Sequence, residues 1–257
     1  MKIAASDYDG TLFRNDCISA ADVEGVIKWR DAGNKFGVVT GRDYGMLMPQ
    51  LNHYGIQSDF AICNNGGLIC RADGTTLWQG VIPNETLAII AQEPCVQKSF
   101  HFAFSAVTTT YLCHESAGSW IMREANQWDF QITMITLDDI PRLPQIHQFS
   151  LGYVQPQESF AASEILNARY GDIIHAYPNR CSLDITPKDV SKRQGIETLI
   201  SLMGWQDAGI CVIGDEINDL PMIDAFDGFT VDTAREEIKQ RAAKVYVGVG
   251  AMLVDNL

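Results

Sequence analysis

The sequence predicts an α/β fold, in which a mostly parallel sheet with its helices is interrupted by a separate α+β insert. Near the N-terminus, and again after Pro187, short apolar strands alternate with helical segments. This alternation requires crossover connections and therefore indicates parallel strands. Between these stretches the predicted strands lengthen and pair with one another. A proline stands at each change, Pro83 and Pro187, as expected for two short linkers with restricted φ.

The N-terminal stretch contains a regular series of predicted elements. In order these are strand 2–6, helix 19–31, strand 35–39, a helix from about residue 43 to Gly55, and strand 60–63. Ser19 is a helix-capping residue, and Gly33 and Gly55 are helix stops. Asn64-Asn65-Gly66-Gly67 follows the last strand and is a turn signal.

The insert covers residues 83–186, and its pattern is typical of an antiparallel α+β domain. The predicted strands are 100–106, 108–112, 147–154, 173–177 and 181–185. The predicted helices are 84–92, 116–127 and 158–170. A segment of roughly a hundred residues is long enough to form a domain of its own.

After residue 187 the strand–helix alternation returns. The predicted elements are helix 191–203 closed by Gly204, strands 210–213 and 228–231, a helix near 234–242, and strand 245–247. We therefore expect residues 1–82 and 187–257 to form one domain core.

Composition and charge limit the possible partners. The 257 residues are 46% hydrophobic, enough for one large core or for a core plus a smaller domain. The net charge of −13 argues against nucleic acid and against anionic membranes as partners. An anionic substrate therefore needs local help from a lysine or a metal ion.

The cysteines and the N-terminus favour a cytoplasmic protein. The cysteines number seven, are scattered and contain no Cys-x-x-Cys pair, so we expect reduced thiols. Asp7 and Asp9 interrupt the N-terminal apolar run, which argues against a signal peptide. No stretch approaches the roughly 20 apolar residues of a membrane span. We expect a monomer or a weak homodimer.

The most informative segment is Asp7-Tyr8-Asp9-Gly10-Thr11, directly after the first strand. Its two carboxylates lie on the same side of an extended backbone, and they repel each other unless a cation joins them. An EF-hand is excluded, because its twelfth position would be Ile18 instead of glutamate. Zinc is disfavoured because no histidine pair has the spacing of metal ligands.

Two further polar clusters, Thr40-Gly41-Arg42 and Gly214 to Asp219, also follow apolar strands. Ligands of open parallel sheets bind beyond the carboxyl ends of the strands, so the three clusters could meet in one crevice. Ser191 and Gln194 form a capping pattern that places Lys192 in the first turn of a helix. A lysine there opposes the helix dipole unless an anion binds at that helix end.

These four motifs together resemble the haloacid dehalogenase-like (HAD) hydrolase superfamily. Asp7 to Thr11 resembles its first motif, Thr40-Gly41 its second, Lys192 its third and Gly214 to Asp219 its fourth. The position of the insert is similar to that of the C2 cap class. The Gly-Asp-x-x-Asn-Asp form and Asn64 to Gly67 resemble the Cof-type sugar-phosphatase subfamily, which has a C2B-like cap.

The resemblance implies a Rossmann-like doubly wound core and an Mg²⁺-dependent phosphatase that acts on small phosphorylated metabolites. Asp7 would attack phosphorus and form an aspartyl-phosphate, and Asp9 would be the general acid and base. Asp7, the Asp9 backbone carbonyl and Asp215 would bind the metal. The phosphoryl group would be held by Thr40, Gly41, Lys192 and Asn218. Asp219 would orient Lys192 or metal-bound water, and residues 83–186 would form the cap over the site.

Other functions remain open at this level. The same intermediate also serves phosphomutases and phosphotransferases, and a non-catalytic regulatory module could retain the fold. Haloalkanoate dehalogenation is disfavoured, because that branch lacks the second aspartate that is present here as Asp9. Tyr8 departs from the more common aliphatic residue at its position. The segment after Gly248 is thinner than the usual family ending, which leaves the last helix undecided from the sequence.

Overall fold

The computed structural model describes residues 1–115 and 120–257. This part of the chain divides into two compact units. The first unit consists of Met1–Thr40, Gln50–Trp78 and Ser191–Leu257. The second unit consists of Gly41–Pro49 and Gln79–Val190. Residues 41–49 thus pack with the second unit, although the predicted division places them in the core.

Strands and helices are numbered here in chain order over the described residues. The strands are β1 (Lys2–Ser6), β2 (Lys35–Val39), β3 (Phe60–Cys63), β4 (Leu68–Arg71), β5 (Thr76–Gln79), β6 (His101–Ser105), β7 (Thr109–Glu115), β8 (Gln131–Met134), β9 (Gln148–Gly152), β10 (Ile174–Asn179), β11 (Ser182–Pro187), β12 (Gly209–Gly214), β13 (Phe229–Val231) and β14 (Lys244–Tyr246). The α-helices are α1 (Ala20–Asp31), α2 (Tyr44–His53), α3 (Asn84–Ile90), α4 (Pro94–Gln97), α5 (Trp120–Trp128), α6 (Pro156–Tyr170), α7 (Lys192–Met203), α8 (Leu220–Ala225), α9 (Glu236–Lys239) and α10 (Val249–Asp255).

The first sheet has the strand order β14-β13-β12-β1-β2-β3-β4-β5. The pairs from β14 to β3 are parallel, and β4 pairs antiparallel with β3. Apolar residues of β1, β3, β12 and α7 form a buried core in this unit. Strand β1 therefore lies between β12 and β2, and the residues that follow these strands meet at one edge of the sheet.

Helix α7 shows how the sequence fixes the local structure. The Ser191 Oγ accepts a hydrogen bond from the backbone N–H of Gln194, which caps the helix and makes Lys192 its first residue. Gly204 ends the helix in the left-handed conformation, with φ at 67°. Ile196 and Leu199 are buried in the core of the first unit. The predicted helix over 191–203 is confirmed.

The second unit is built on a sheet with the strand order β10-β11-β9-β6-β7-β8. Its pairs are antiparallel except for β7 with β8, which is parallel. Phe102, Phe104 and Phe149 are fully buried in its core, and the rings of Phe104 and Phe149 stack with centroids 4.3 Å apart. The two sheets together confirm the predicted α/β fold with an α+β insert.

Several element predictions need correction. Strands β4, β5 and β8 were not predicted, and α9 is much shorter than the helix predicted near 234–242. Helix α10 follows Gly248, where the sequence had left the last helix undecided. The helix predicted over 116–127 begins at residues outside the described ones, and its described part is α5. In the part of the chain that the structure describes, no helix is both long and apolar enough to span a membrane.

Candidate active site

Asp7 lies at the carboxyl end of β1, where the strand stops and the chain turns. Its backbone N–H donates to the carbonyl of Ile213 on β12, at 2.9 Å. The Ser6 hydroxyl donates to the Asp7 carbonyl at 2.7 Å. Asp7 is only 5% exposed, so its carboxylate is held in the interior by the two central strands.

The turn after Asp7 brings the first motif against Asp215. Gly10 has φ at +89°, and a Cβ at this position would overlap the Asp215 carboxylate. Only glycine satisfies both conditions. The Thr11 hydroxyl donates to the Asp215 Oδ1 at 2.6 Å. Asp9, in contrast, is exposed, so the two carboxylates of the motif lie in different environments.

Lys192 is fully inside this site. Its Nζ lies 2.5 Å from the Asp7 Oδ1 and 2.6 Å from the Asp219 Oδ1. The residue is 2% exposed, which is rare for a lysine and requires partners for its charge. The start of α7 therefore contacts the residues that follow β1 and β12.

Asp219 is fixed from the other side by the backbone. Its Oδ2 accepts hydrogen bonds from the N–H groups of Asp215, at 2.9 Å, and Glu216, at 3.0 Å. A Cβ on Gly214 would overlap the Asp219 side chain, so this loop is closed tightly around the carboxylate. Asp219 thus links the loop after β12 to the ammonium of Lys192.

The site contains more buried negative charge than positive charge. The carboxylate oxygens of Asp7, Asp215 and Asp219 lie within 4.8 Å of one another. Burial raises the pKa of Asp7 well above its ordinary value, Lys192 opposes the rise, and the two other carboxylates reinforce it. Burial and the neighbouring Asp219 raise the pKa of Asp215 to about 6.

The neighbouring carboxylates stabilise the charged form of Lys192. Burial alone would lower its pKa, but Asp219 and Asp7 outweigh burial and raise the pKa above the ordinary value of 10.5. The ammonium therefore stays charged at every pH of interest. One ammonium cannot neutralise three carboxylates, and a set of hard oxygen donors is suited to Mg²⁺. The residues present fit that ion.

The remaining predicted residues fall into both units. Thr40 follows β2, is 1% exposed, and its N–H donates to the Ile62 carbonyl at 2.8 Å. Asn218 is half-buried, and its Nδ2 donates to the Asn65 Oδ1 at 3.1 Å. Gly41 belongs to the second unit.

Sequence reasoning missed two residues that contact this site. Thr11 was quoted as part of the first motif but was given no role. Asn65 was recognised as part of a turn and of the subfamily resemblance but was given no role. Its position in the loop after the parallel strand β3, where Asp7 and Thr40 follow β1 and β2, was the signal that could have identified it.

Comparison with known proteins identifies the family. The sequence model of the haloacid dehalogenase-like hydrolases matches residues 4–248. The chain therefore belongs to the haloacid dehalogenase-like hydrolase family and is an enzyme of the hydrolase class.

Among its relatives is the HMP-PP phosphatase of Yersinia pseudotuberculosis, 23% identical over 256 residues, which cover 96% of this chain and 89% of the relative. A haloacid dehalogenase-like hydrolase from B. subtilis has a similar fold, with a TM-score of 0.86, 18% identity and full coverage of both chains. A HAD subclass IIB sugar phosphatase gives a TM-score of 0.77 at 21% identity, covering 100% of this chain and 97% of the other. At these identities the structures establish the fold.

Proposed function

We propose that this chain is an Mg²⁺-dependent phosphatase that hydrolyses small phosphomonoesters, such as sugar phosphates, through an aspartyl-phosphate on Asp7. The excess of buried carboxylate over ammonium at Asp7, Asp215, Asp219 and Lys192 carries the proposal. Uncompensated buried charge lowers the stability of a folded protein. Such charge is typical of functional sites. Membership of the family and the phosphatases among its relatives support this reaction class.

Asp7 and Asp9 divide the chemistry between them. Asp7 is the nucleophile, because it is fixed at the end of a central strand, and its attack on phosphorus splits one difficult displacement into two easier ones. Asp9 protonates the leaving alcohol and then takes a proton from the attacking water. Its exposure suits a group that must meet both substrate and solvent.

The Asp7 carboxylate, the Asp9 backbone carbonyl and Asp215 would hold the Mg²⁺. When bound, the ion supplies the positive charge that lets an anionic phosphate approach the carboxylates. Asp219 has a different role, because its Oδ2 already accepts two backbone hydrogen bonds. It is a positioning residue that holds the ammonium of Lys192.

Thr40, the Gly41 backbone, Lys192 and Asn218 bind the phosphoryl oxygens and stabilise the negative charge that spreads over them during transfer. Lys192 can do this because its ammonium is permanently charged and fixed by two carboxylates. Thr40 and Asn218 offer a hydroxyl and an amide, which are donors of fixed geometry.

We assign residues 83–186 as the substrate-selecting cap domain and residues 1–82 and 187–257 as the catalytic core. Polar side chains on β9 and β11 support this assignment. The Gln148 Nε2 donates to the Gly41 carbonyl at 2.9 Å and to the Ser150 hydroxyl at 2.8 Å, and Ser150 donates to Asp184 at 2.7 Å. This network connects the strands of the second unit to a residue of the phosphate-binding motif.

Replacement of the nucleophile tests the proposal. Purified protein with Mg²⁺ should release inorganic phosphate from p-nitrophenyl phosphate and from a panel of phosphorylated metabolites. Asp7→Asn should lower kcat by about 10⁴-fold or more, the usual cost of removing a nucleophile. Formation of an isomerised phosphosugar without release of phosphate would indicate phosphotransfer.

Asp31→Asn is the matched control. Asp31 is an exposed carboxylate at the C-terminal end of α1, before β2 begins, and thus lies at the amino edge of the sheet. Its replacement should leave kcat unchanged. Turnover by folded Asp7→Asn at the wild-type rate would overturn the proposed mechanism.

A further inference from the structure

The turn after β3 has an unusual backbone. Three successive residues have a positive φ, a backbone conformation that L-residues rarely adopt. The φ values are 53° for Asn64, 52° for Asn65 and 104° for Gly66. Asparagine tolerates this conformation better than most residues, but each instance is still unfavourable. All three residues are buried. A strained and buried turn of this kind is retained only where its surroundings require it.

This turn contacts two of the motifs of the active site through its backbone. The Asn65 N–H donates to the Thr40 carbonyl at 2.9 Å. A Cβ on Gly66 would overlap the carbonyl of Ser191, which precedes Lys192 and caps its helix. Both contacts lie within the first unit. The turn therefore sets the separation between the Thr40 loop and the start of α7.

The Asn65 side chain contacts a third motif. Its Oδ1 accepts the hydrogen bond from the Asn218 Nδ2, at 3.1 Å. A carbonyl oxygen can only accept, so it selects the amide nitrogen of Asn218 and prevents the amide from turning over. An amide nitrogen carries two hydrogens, and this bond uses one of them. The second N–H of Asn218 is left for a ligand.

The amide groups around this bond confirm that the protein itself does not use all of their bonding capacity. The Asn218 Oδ1 and both polar atoms of the Asn64 amide are buried without a hydrogen-bond partner among the described residues. Unpaired buried polar atoms are rare and indicate a functional constraint or a bound group. Among the described residues, the hydrogen bond to Asn65 is thus the bond that orients the Asn218 amide.

We propose that Asn65 is a positioning residue that orients Asn218 so that its free N–H donates to the phosphoryl group. The inference rests on the proposed function, because it assumes that Asn218 binds phosphate. Asn65 acts through Asn218 and does not itself touch the reacting atoms.

Asn65→Gly is the informative variant. Glycine accepts the positive φ and keeps the N–H that binds Thr40, so only the side chain is lost. With p-nitrophenyl phosphate and Mg²⁺, we expect kcat/KM to fall by about tenfold, the value of one hydrogen bond. Asn218→Ala should lower it by about 10²-fold, the usual effect of losing one donor to a developing charge.

The double variant Asn65→Gly/Asn218→Ala separates positioning from a general structural role. If Asn65 acts through Asn218, the double variant is no slower than Asn218→Ala alone. Asn64→Gly is the matched control, since it makes the same change one residue earlier in the same turn. Its effect on kcat/KM should add to that of Asn218→Ala. Additive effects for Asn65→Gly would overturn the inference.

Binding of inorganic phosphate provides a readout that does not depend on turnover. Calorimetric titration in the presence of Mg²⁺ should show about tenfold weaker binding by Asn65→Gly than by wild type. If phosphate binds with this difference but no ester is hydrolysed, the inference stands and the proposed function fails. If wild type hydrolyses esters and Asn65→Gly matches it in both assays, the inference fails alone. Absence of both activities in wild type would overturn both.

Discussion

The buried charges of the two units are balanced very differently. In the first unit, Asp7, Asp215 and Asp219 converge around the single ammonium of Lys192. In the second unit, the Arg42 guanidinium forms an ion pair with the Glu124 carboxylate at 2.7 Å. The first arrangement leaves charge uncompensated, and the second does not.

Asp43 of the second unit shows a different solution to burial. Its carboxylate accepts hydrogen bonds from the Thr110 hydroxyl, at 2.7 Å, and from the Met46 N–H, at 2.8 Å. These neutral donors hold Asp43 directly before α2, and burial raises its pKa to about 6, although the donors and the nearby Arg42 charge oppose the rise. A single buried acid can remain protonated on such partners at moderately acidic pH, whereas carboxylates that crowd one ammonium need a further cation. The comparison thus separates a single buried acid from the acidic cluster that we propose to be catalytic.

The largest effect is expected when the single ammonium is removed. Lys192→Met leaves three buried carboxylates with no cation, so the free energy of unfolding should fall by about 3–5 kcal/mol at pH 7. Urea unfolding measures this loss. Mg²⁺ should restore part of the stability, because the ion also neutralises Asp7 and Asp215.

Arg193→Met is the control for this variant, since it changes the neighbouring residue of the same helix. Arg193 is exposed and pairs only at the surface with Glu197, at 2.8 Å. Its replacement should change the free energy of unfolding by less than about 0.5 kcal/mol. Equal losses for the two variants would show that Lys192 is not neutralising buried charge.

Asp43→Asn should give the next largest effect, and this effect depends on pH. The pKa of Asp43 is raised from 3.8 to about 6, so folding favours its protonated form. Its contribution to stability is therefore complete below pH 3.8 and is lost as pH rises through about 6. Full ionisation costs about 3 kcal/mol. The amide stays neutral. As the pH rises from 4 to 7, the free energy of unfolding of the variant should therefore increase relative to that of wild type by up to about 3 kcal/mol.

Asp139→Asn should show the opposite sign in the same titration. The Thr136 hydroxyl and N–H, together with Arg142, lower the pKa of the exposed Asp139 to about 2. Its contribution is present above the unfolded pKa and is lost as pH falls through about 2. This variant should therefore lose stability relative to wild type at neutral pH. Parallel pH profiles for the two variants would contradict the assignment of Asp43 as a buried acid held by neutral donors.

The sequence was sufficient to predict the elements whose periodicity is simple. Strands β1, β2 and β3 are short apolar runs followed by polar residues, and α7 has both a serine cap and a glycine stop. These signals are local, so no tertiary information was needed. The convergence of Asp7 and Asp219 followed from the same strand ends through the geometry of parallel sheets, whereas Lys192, at the start of a helix, was identified by its capping pattern and by the family resemblance.

The missed elements depend on contacts that no local pattern specifies. Strand β4 directly follows the Asn64–Gly66 turn and pairs antiparallel with β3, so the turn closes a hairpin and does not lead into the insert. Strand β8 has the mostly exposed sequence QITM and is defined only by its pairing with β7. Helix α10 packs against α1 through the close approach of Gly25 and Gly250, which are far apart in the chain. Sequence periodicity cannot identify packing partners that are distant in the chain.

Addition and removal of Mg²⁺ sharpen the comparison between the units most directly. Mg²⁺ at 100 times its dissociation constant should raise the free energy of unfolding of wild type by about 2.7 kcal/mol, since only the folded site binds it. Chelation should reverse the gain. Asp215→Asn should abolish the response, because it removes one proposed ligand, whereas Asp43→Asn should retain it in full. Loss of the response in Asp43→Asn as well would mean that the ion does not act at the crowded carboxylates of the first unit.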